Sequence, residues 1–168
     1  MKNFFTILLI MANVPAMAQD GKATTVKKTF SRETSIQTTI NADAAIVWAL
    51  LTNASDFSRW NSTVISIEGD IKEGEKIKLK STLDPSRTFK LKVKEMISEQ
   101  KLVWGDGLGK RVYTLENKGE NKVLFSMSEK IGGLMFPLFA GKIPSFDESF
   151  EQFAADLKKE AEVIMRSK

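Results

Sequence analysis

The sequence has no cysteine and no histidine. The absence of cysteine excludes disulfides, thiolate nucleophiles, thiolate metal sites and a cysteine-linked lipid anchor. The absence of histidine excludes Ser-His-Asp catalysis, imidazole acid–base chemistry and histidine metal sites. Catalytic groups can come only from carboxylates, amines, hydroxyls, the single tyrosine or a bound cofactor. We therefore expect binding rather than catalysis, with no metal and no cofactor.

Long apolar runs are also lacking, except for one near the N-terminus. Residues 4–12 are apolar apart from Thr6, Lys2 precedes them, and an A-x-A cleavage pattern stands at 16–18. This order is typical of a secretory signal peptide, predicted over residues 1–18. The run is shorter than the ~20 residues that span a bilayer, and a retained N-terminal anchor is the alternative. We expect an exported protein, periplasmic or secreted.

The remaining residues, 19–168, suit a single domain, since a domain typically takes roughly 100–200 residues. Hydrophobic residues make up 42% and charged residues 27% of the chain, a balance that argues against wholesale disorder. No repeat, low-complexity tract or linker divides this part of the chain.

Hydrophobic periodicity predicts one strand, a helix, a short helix, six further strands and a long final helix. Residues 19–27 are small and polar and suggest a loose lead-in. The predicted strands cover residues 30–40, 63–68, 76–83, 88–95, 102–104, 111–116 and 122–129. The first helix covers 42–53 after an Asn41 cap, and a capping box at 145–148 begins the last helix after Pro144. Strands and helices segregated along the chain indicate an α+β fold.

The predicted hairpin of 76–83 and 88–95 has a constrained register. Its apolar residues all fall on odd numbers, so opposed residue numbers must add up to an even number if both sets face the core. The connection then has an odd length, and a two-residue loop requires a bulge. Asp84-Pro85-Ser86 has the residue types of the turn.

Several segments of the domain carry a resemblance to a known family. They are Ile40 to Thr52, Phe57 to Asn61, Ile67 to Gly69, Leu102 to Trp104, Gly133-Leu134 and Phe150 to Glu162. With the order of elements, they resemble the helix-grip fold of the START-like or SRPBCC superfamily, close to its polyketide cyclase/dehydrase-like branch. Ser62 is a departure, because the family often has proline after Trp-Asn.

This resemblance covers residues 28–165 and sets the expected architecture. It implies a curved seven-stranded antiparallel sheet wrapped around a long C-terminal helix, with two short helices after the first strand. A deep apolar cavity is expected between the sheet and the last helix. Members of the superfamily mostly bind or carry lipids, polyketides, hormones and other hydrophobic small molecules, and a minority are enzymes.

A sheet curved around one helix leaves the kind of apolar gap that ligands occupy. The inward positions of the strands and of the last helix are the candidate cavity residues. They are Ile77, Leu79, Phe89, Leu91, Val93, Trp104, Tyr113, Val123, Phe125, Met127, Phe150, Phe153 and Leu157. The alternative is that these side chains simply fill a core. Tyr113 is the first donor expected to contact a ligand, whereas Trp48 and Trp60 are expected to pack.

Glu95, Glu129, Arg111 and Tyr113 are the polar candidates, because they share the inward parity of their strands. A buried carboxylate would have a raised pKa and act as an acid or base. An Arg111–carboxylate pair would instead orient a ligand head group. The third interpretation places these residues at strand ends in water.

The segment from Gly132 to Gly141 is an apolar run between glycines. It is interpreted as a lid over the cavity, with Leu134, Met135, Phe136 and Phe139 as candidates. The alternatives are a transient contact with a membrane surface and a buried entry to the last helix.

Residues 72–94 carry eight basic and three acidic side chains, a net charge of +5 in a chain whose net charge is +4. This lysine face either attracts an anionic surface or discourages edge pairing of the sheet. Nucleic-acid binding would require interleaved aromatics or arginines, which the face lacks. Gly105, Gly107 and Gly109 lack the spacing and the helix of a dinucleotide-binding loop. We expect no nucleic-acid partner.

Three hypotheses follow from the sequence. The first is an exported, monomeric protein that binds a hydrophobic small molecule or lipid in its cavity. The second is a polyketide cyclase- or dehydratase-like enzyme that uses the polar candidates. The third is an interaction module with a filled core.

Overall fold

The computed structural model describes residues 20–168, and its strands and helices follow the expected order. The strands are β1 Thr24–Lys28, β2 Ser31–Ile40, β3 Val64–Glu68, β4 Lys76–Ser81, β5 Asp84–Ile97, β6 Lys101–Gly105, β7 Gly109–Asn117 and β8 Val123–Gly132. The helices are α1 Ala44–Thr52, α2 Phe57–Trp60, α3 Phe136–Phe139 and α4 Asp147–Arg166, with 3-10 turns at Ala54–Asp56 and Ala140–Lys142. The predicted signal peptide lies outside the described residues. None of the helices between residues 20 and 168 combines the length and apolarity needed to cross a membrane.

The eight strands form one antiparallel sheet in the order β1-β2-β8-β7-β6-β5-β4-β3. The sheet packs around α4, so the predicted α+β helix-grip fold is confirmed. The strand count is eight rather than seven, because residues 24–28 pair with β2 and place Thr25 opposite Thr34. The prediction of a loose lead-in was wrong at this point, since the β-branched run from Thr24 to Val26 suits an edge strand.

The first helix begins later than predicted, and Asn41 does not cap it. The residue before the helix is Asp43, whose side chain makes no capping hydrogen bond. The backbone N–H and the side-chain amide of Asn41 both donate instead to one carboxylate oxygen of Glu162, at 3.0 Å each. Asn41 therefore joins the end of β2 to the last helix.

Ser62, the departure from the family pattern, also bonds to the last helix. Its backbone N–H and its hydroxyl donate to one oxygen of Asp156, at 2.8 and 2.7 Å. Proline at this position would have no N–H to donate. The neighbouring Asn61 is buried and donates to the carbonyl of Phe153 at 3.3 Å.

The last helix presents the apolar face that its spacing predicts. Phe150, Phe153, Leu157 and Ala161 recur three or four residues apart, and all four are buried against the sheet. The predicted capping box does not form, because Phe146 occupies the capping position. The hydroxyl of Ser145 lies one residue further out and accepts a long bond of 3.4 Å from the N–H of Asp147.

The β4–β5 hairpin confirms the predicted parity but not the predicted turn. Ile77 faces Leu91 and Leu79 faces Phe89. The connection is the two-residue turn at 82–83, and the Asp84-Pro85-Ser86 segment belongs to β5. A bulge between Leu79 and Ser81 corrects the register, which is the condition that a two-residue loop requires.

Candidate functional site

A cavity of about 230 Å³ lies between the sheet and the first turns of α4. This volume is many times the roughly 10–15 Å³ that one water needs. Its apolar wall includes Val64, Leu79, Phe89, Leu91, Trp104, Ile131, Phe139, Ile143, Phe146 and Phe150. Its polar wall includes Ser81, Asp84, Arg87, Asp106, Arg111, Glu129, Lys142 and Ser149. A cavity of this size means that side chains do not fill the whole space between the sheet and α4.

The cavity opens at the end of the sheet where β4 and β6 end and β5 and β7 begin. Six of its lining residues are exposed: Leu83, Arg87, Asp106, Leu108, Lys142 and Pro144. Gly105 allows β6 and β7 to approach closely here. A Cβ at this position would lie 2.2 Å from the carbonyl oxygen of Gly109.

The alternation of three strands places the inner wall. Leu79, Phe89 and Leu91 point inward from β4 and β5, while the lysines between them are exposed. Trp104 of β6 lies opposite Arg111 of β7 in the sheet. This pairing places the indole ring of Trp104 next to the guanidinium of Arg111 in the cavity wall.

An ion pair between Arg111 and Glu129 is the main polar feature of the inner wall. The two residues are direct partners across β7 and β8, and the guanidinium binds one carboxylate oxygen through both Nε and Nη2. Its Cζ atom lies 5.1 Å from the ring centre of Phe150, which is a cation–π distance. Burial by itself lowers the pKa of Arg111, but the charge of Glu129 reverses this effect, so the pKa is raised and the group stays charged.

Aromatic side chains of the packed core lie behind the inner wall of the cavity. Tyr113 packs edge-on against Trp104, with ring centroids 5.0 Å apart, and lies 5.8 Å from the ring of Phe153. Phe125 stacks on Phe153 at 6.4 Å. The Tyr113 hydroxyl is buried and has no hydrogen-bond partner among residues 20–168. Burial raises the pKa of Tyr113 to about 12, although the nearby charge of Arg111 opposes the rise.

Six of the predicted cavity residues line the cavity, namely Leu79, Phe89, Leu91, Trp104, Arg111 and Phe150. The others do not line it: Ile77, Val93, Tyr113, Val123, Phe125, Met127, Phe153 and Leu157 are buried in the packed core. These residues do point inward, as strand parity predicts. Large rings from the sheet and from α4 meet in this half of the gap and fill it, which parity along single strands does not reveal. Whether the six lining residues contact a ligand stays a prediction.

Glu95 does not face the cavity, and this part of the prediction was wrong. A bulge between Val93 and Glu95 shifts the register of β5 on β6, so inward parity ends at Val93. Glu95 pairs with Lys101 at 2.9 Å, and both side chains are more than one third exposed. Glu129 and Arg111 are therefore the two polar candidates that the structure places in the cavity wall.

The predicted lid segment divides into an exposed part and a buried part. Leu134 and Met135 are 83% and 60% exposed, so they do not cover the cavity. Phe136 is buried, and its ring lies edge-on to Phe139 at 5.6 Å. Phe139 lines the cavity, so it is the one lid candidate placed over it.

Arg32 holds the segment after α3 in place, a role that the sequence analysis did not assign. Its guanidinium donates to the carbonyl oxygens of Ile143 and Pro144, at 3.1 and 2.6 Å. It also lies over the ring of Phe146, 4.9 Å from the centroid. The signal was available, because Arg32 shares the inward parity of Thr34 and the other buried residues of β2.

Ser149 lines the cavity, and the sequence analysis missed it. It lies one residue before Phe150 on α4 and contributes a hydroxyl to the wall.

Within residues 20–168, no group of three or more Asp and Glu side chains is placed to hold a metal ion.

Comparison with known proteins supports the fold. A family model described as activator of Hsp90 ATPase homolog 1-like protein matches residues 41–161. No curated protein matches the sequence. The solved structures that are similar include a conserved Enterococcus faecalis protein of unknown function, with a TM-score of 0.63 and 15% identity over 85% of this chain and 78% of that chain.

Two further similar structures have printed names that describe their class. A START superfamily protein from Mycobacterium smegmatis has a TM-score of 0.58 and 14% identity, over 79% of this chain and 98% of that chain. A norcoclaurine synthase point mutant from Thalictrum flavum, in complex with a transition-state analogue, has a TM-score of 0.60 and 14% identity, over 85% and 100%. At such identities the likeness shows the fold alone, and it is the helix-grip fold of the START-like superfamily.

Proposed function

The chain belongs to the activator of Hsp90 ATPase homolog 1-like family, and on that premise we propose that it binds a hydrophobic small molecule in the cavity between the sheet and α4. The observation that carries the proposal is the cavity itself, with an apolar wall and one internal ion pair. Concave apolar sites with a few convergent polar groups are the usual binding sites of small molecules. The family and the fold fit a ligand-binding or polyketide cyclase-like domain.

The volume limits the size of the ligand. Pockets for drug-sized ligands typically measure about 300–1,000 Å³, and this cavity measures about 230 Å³. A small aromatic or terpene-like molecule suits it, as does one end of a longer chain whose remainder leaves through the mouth. A whole membrane lipid does not suit it.

The ion pair limits the chemistry of the ligand. Glu129 already neutralises Arg111 and binds it through Nε and Nη2. The remaining Nη1 takes no part in this pairing and can donate to a ligand. A carbonyl or hydroxyl oxygen would accept a bond from it without competing with Glu129. The proposed ligand is therefore uncharged, apolar over most of its surface, and carries one such oxygen.

Catalysis has less support than binding. Of the carboxylates that the sequence suggested, Glu129 is held by Arg111 and Glu95 lies outside the cavity, paired with Lys101. Tyr113 remains a protonated phenol at neutral pH, because its pKa is raised to about 12. A free acid–base pair beside the cavity, which an enzyme would need, is not formed by these residues.

We also propose that the protein is exported, on the strength of the signal-peptide pattern at 1–18. Full-length chain expressed in an exporting host tests export directly. Intact-mass measurement of the purified protein should show an N-terminus at residue 19. An unprocessed mass would contradict the signal peptide.

Binding is tested on the same material by native mass spectrometry and by titration with the neutral fluorescent probe 1-aminoanthracene. If the protein is purified with its ligand, we expect an added mass that is lost on denaturation. If its mass is that of the polypeptide alone, we expect saturable binding of the probe. The variant Ser149→Leu adds bulk to the cavity wall and should weaken probe binding by about tenfold or more. Ala155→Leu adds the same side chain to the exposed face of α4 and should leave binding unchanged. Equal binding by both variants would contradict the proposed site.

A further inference from the structure

Exposed apolar side chains gather at the end of the sheet where the cavity opens. We call them the apolar rim, defined as Phe30, Leu83, Leu108, Leu134, Met135 and Leu138. They include the three most exposed large hydrophobic residues of the described chain, namely Leu134 at 83%, Leu138 at 72% and Met135 at 60%. Exposed apolar side chains that gather at one end of a protein mark an interaction site.

Backbone hydrogen bonds hold three of the contributing connections together. The N–H of Gly132 donates to the carbonyl of Leu108 at 3.1 Å, and the N–H of Gly133 donates to the carbonyl of Phe30 at 3.0 Å. The β1–β2 turn, the β6–β7 turn and the start of the segment after β8 are therefore neighbours. The β4–β5 turn lies at the same end, and its Leu83 lines the cavity mouth together with Leu108.

Cations are in excess around the apolar rim. The exposed basic side chains on the strand ends and connections there are Lys27, Lys28, Arg87, Lys110, Lys130 and Lys142. The acidic side chains there include Glu33, Asp84 and Asp106, with Asp147 and Glu148 in the first turn of α4. Apolar side chains surrounded by cations are complementary to a membrane surface that contains anionic lipids.

We propose that this end of the molecule docks onto an anionic lipid bilayer, with the apolar rim in the interfacial layer and the cations among the head groups. Docking would turn the cavity mouth towards the bilayer, so that a hydrophobic ligand passes between them without crossing water. The passage of a ligand rests on the proposed function, whereas the docking does not.

A second copy of the chain fits this surface less well than a bilayer does. A symmetric dimer through the apolar rim would bring the same surface of both copies together. The six cations of one copy would then lie near those of the other, and like charges repel. An anionic surface removes this repulsion.

Co-sedimentation with vesicles tests the proposal. Protein expressed from the full sequence and purified is mixed with vesicles of phosphatidylcholine alone or of phosphatidylcholine with phosphatidylserine. We expect binding to the anionic vesicles that is several times stronger than binding to the neutral ones and that weakens at high salt. The double variant Leu134→Ser/Leu138→Ser should lower the partition coefficient by about tenfold or more, because two leucines no longer leave water.

A matched control changes equally apolar residues elsewhere. Ile97→Ser/Val163→Ser replaces side chains that are 44% and 45% exposed away from the apolar rim, and it should leave vesicle binding unchanged. Lys27→Glu/Lys28→Glu should lower anionic-vesicle binding by about tenfold or more, at roughly fivefold per lysine. All variants should keep the wild-type unfolding midpoint, since every changed residue is exposed.

Three results would overturn the proposal. The first is equal binding to neutral and anionic vesicles. The second is anionic binding that the leucine variant leaves intact. The third is a dimer in light scattering that the leucine variant dissociates while vesicles are not bound, which would assign the apolar rim to a second copy. Vesicle binding without any probe binding in the cavity would leave the docking standing and contradict only the proposed function.

Discussion

The two ends of the sheet differ in both composition and packing. At the mouth end, the connections carry the apolar rim, and the cavity opens between them. At the far end, the connections at residues 41–43, 69–75, 98–100 and 118–122 carry six acidic and three basic residues. The far end has the polar turns of a surface in contact with water, while the mouth end exposes the apolar residues that other proteins bury.

The interior shows the same division. Towards the middle of the sheet, rings from β6, β7, β8 and α4 pack together, with centroids 5.0 to 6.4 Å apart. Towards the mouth, the facing positions are occupied by Leu79, Leu91 and the Arg111–Glu129 pair, and a gap remains. The cavity therefore remains where packing between the sheet and α4 is incomplete, although rings such as Trp104 and Phe150 line it. Four comparisons test this difference between the two regions.

The largest expected effect separates two of the inter-strand ion pairs, Arg111–Glu129 and Lys101–Glu95. Arg111→Ala at the mouth leaves Glu129 without its partner in a wall where both side chains are about four-fifths buried. Loss of one member of such a pair should lower the free energy of unfolding by about 3 kcal/mol. Lys101→Ala breaks the exposed pair with Glu95 and should cost less than about 1 kcal/mol. Urea unfolding of both variants measures the difference.

The double variant Arg111→Met/Glu129→Leu is the control for that prediction. It removes both charges and should recover most of the lost stability. Equal costs for Arg111→Ala and Lys101→Ala would show that the mouth pair is solvated to the same extent as the exposed one.

The pH dependence of Tyr113 tests where the cavity ends. As the only tyrosine, it can be followed alone by ultraviolet titration, and we expect a phenol pKa of about 12 in the folded protein. The unfolded value is about 10, so the folded state holds this proton more tightly. The stability from this group is complete below pH ~10 and is lost as the pH rises through the folded pKa, by about 3 kcal/mol in total.

Tyr113→Phe should abolish that alkaline loss and change the stability at neutral pH by less than about 1 kcal/mol, because the hydroxyl has no partner to lose. A folded-state pKa near 10 would mean that water reaches the phenol and that the cavity extends past Trp104.

A glycine comparison tests the closeness of β6 and β7 at the mouth. Gly105→Ala places a methyl group against the backbone of Gly109 and should cost about 2 kcal/mol. Gly107, two residues away in the turn, has open space around it. Gly107→Ala should therefore change the unfolding midpoint very little, and a similar loss in both variants would contradict the close approach.

The smallest expected effect concerns the lysine face of β4 and β5. Lys76 lies directly opposite Lys92, and Lys78 opposite Lys90, so like charges face each other across the strands. Lys92→Glu should raise the free energy of unfolding by about 0.5 kcal/mol at low salt. Lys90→Glu should gain less, because Lys78 already pairs with Glu68 at 3.2 Å. High salt should remove both gains.

Most of the fold was predictable, and the errors have local causes. Strand parity placed Leu79, Phe89 and Leu91 correctly because side chains alternate strictly along an uninterrupted strand. It failed at Glu95, because a bulge changes the parity and leaves no clear mark in the sequence. It also gave Arg32 no role, although this residue stands at an inward position of β2.

The sequence by itself determined the α+β class, the order of strands and helices, the apolar face of α4 and the even-sum register of the β4–β5 hairpin. These depend on periodicity and parity, which are local properties of the chain. Only the tertiary structure decided the cavity and its mouth, the pairing of Arg111 with Glu129, and the gathering of the apolar rim from four separate connections. Each of these depends on which side chains meet across strands that are distant in sequence, and on the volume left after they have packed.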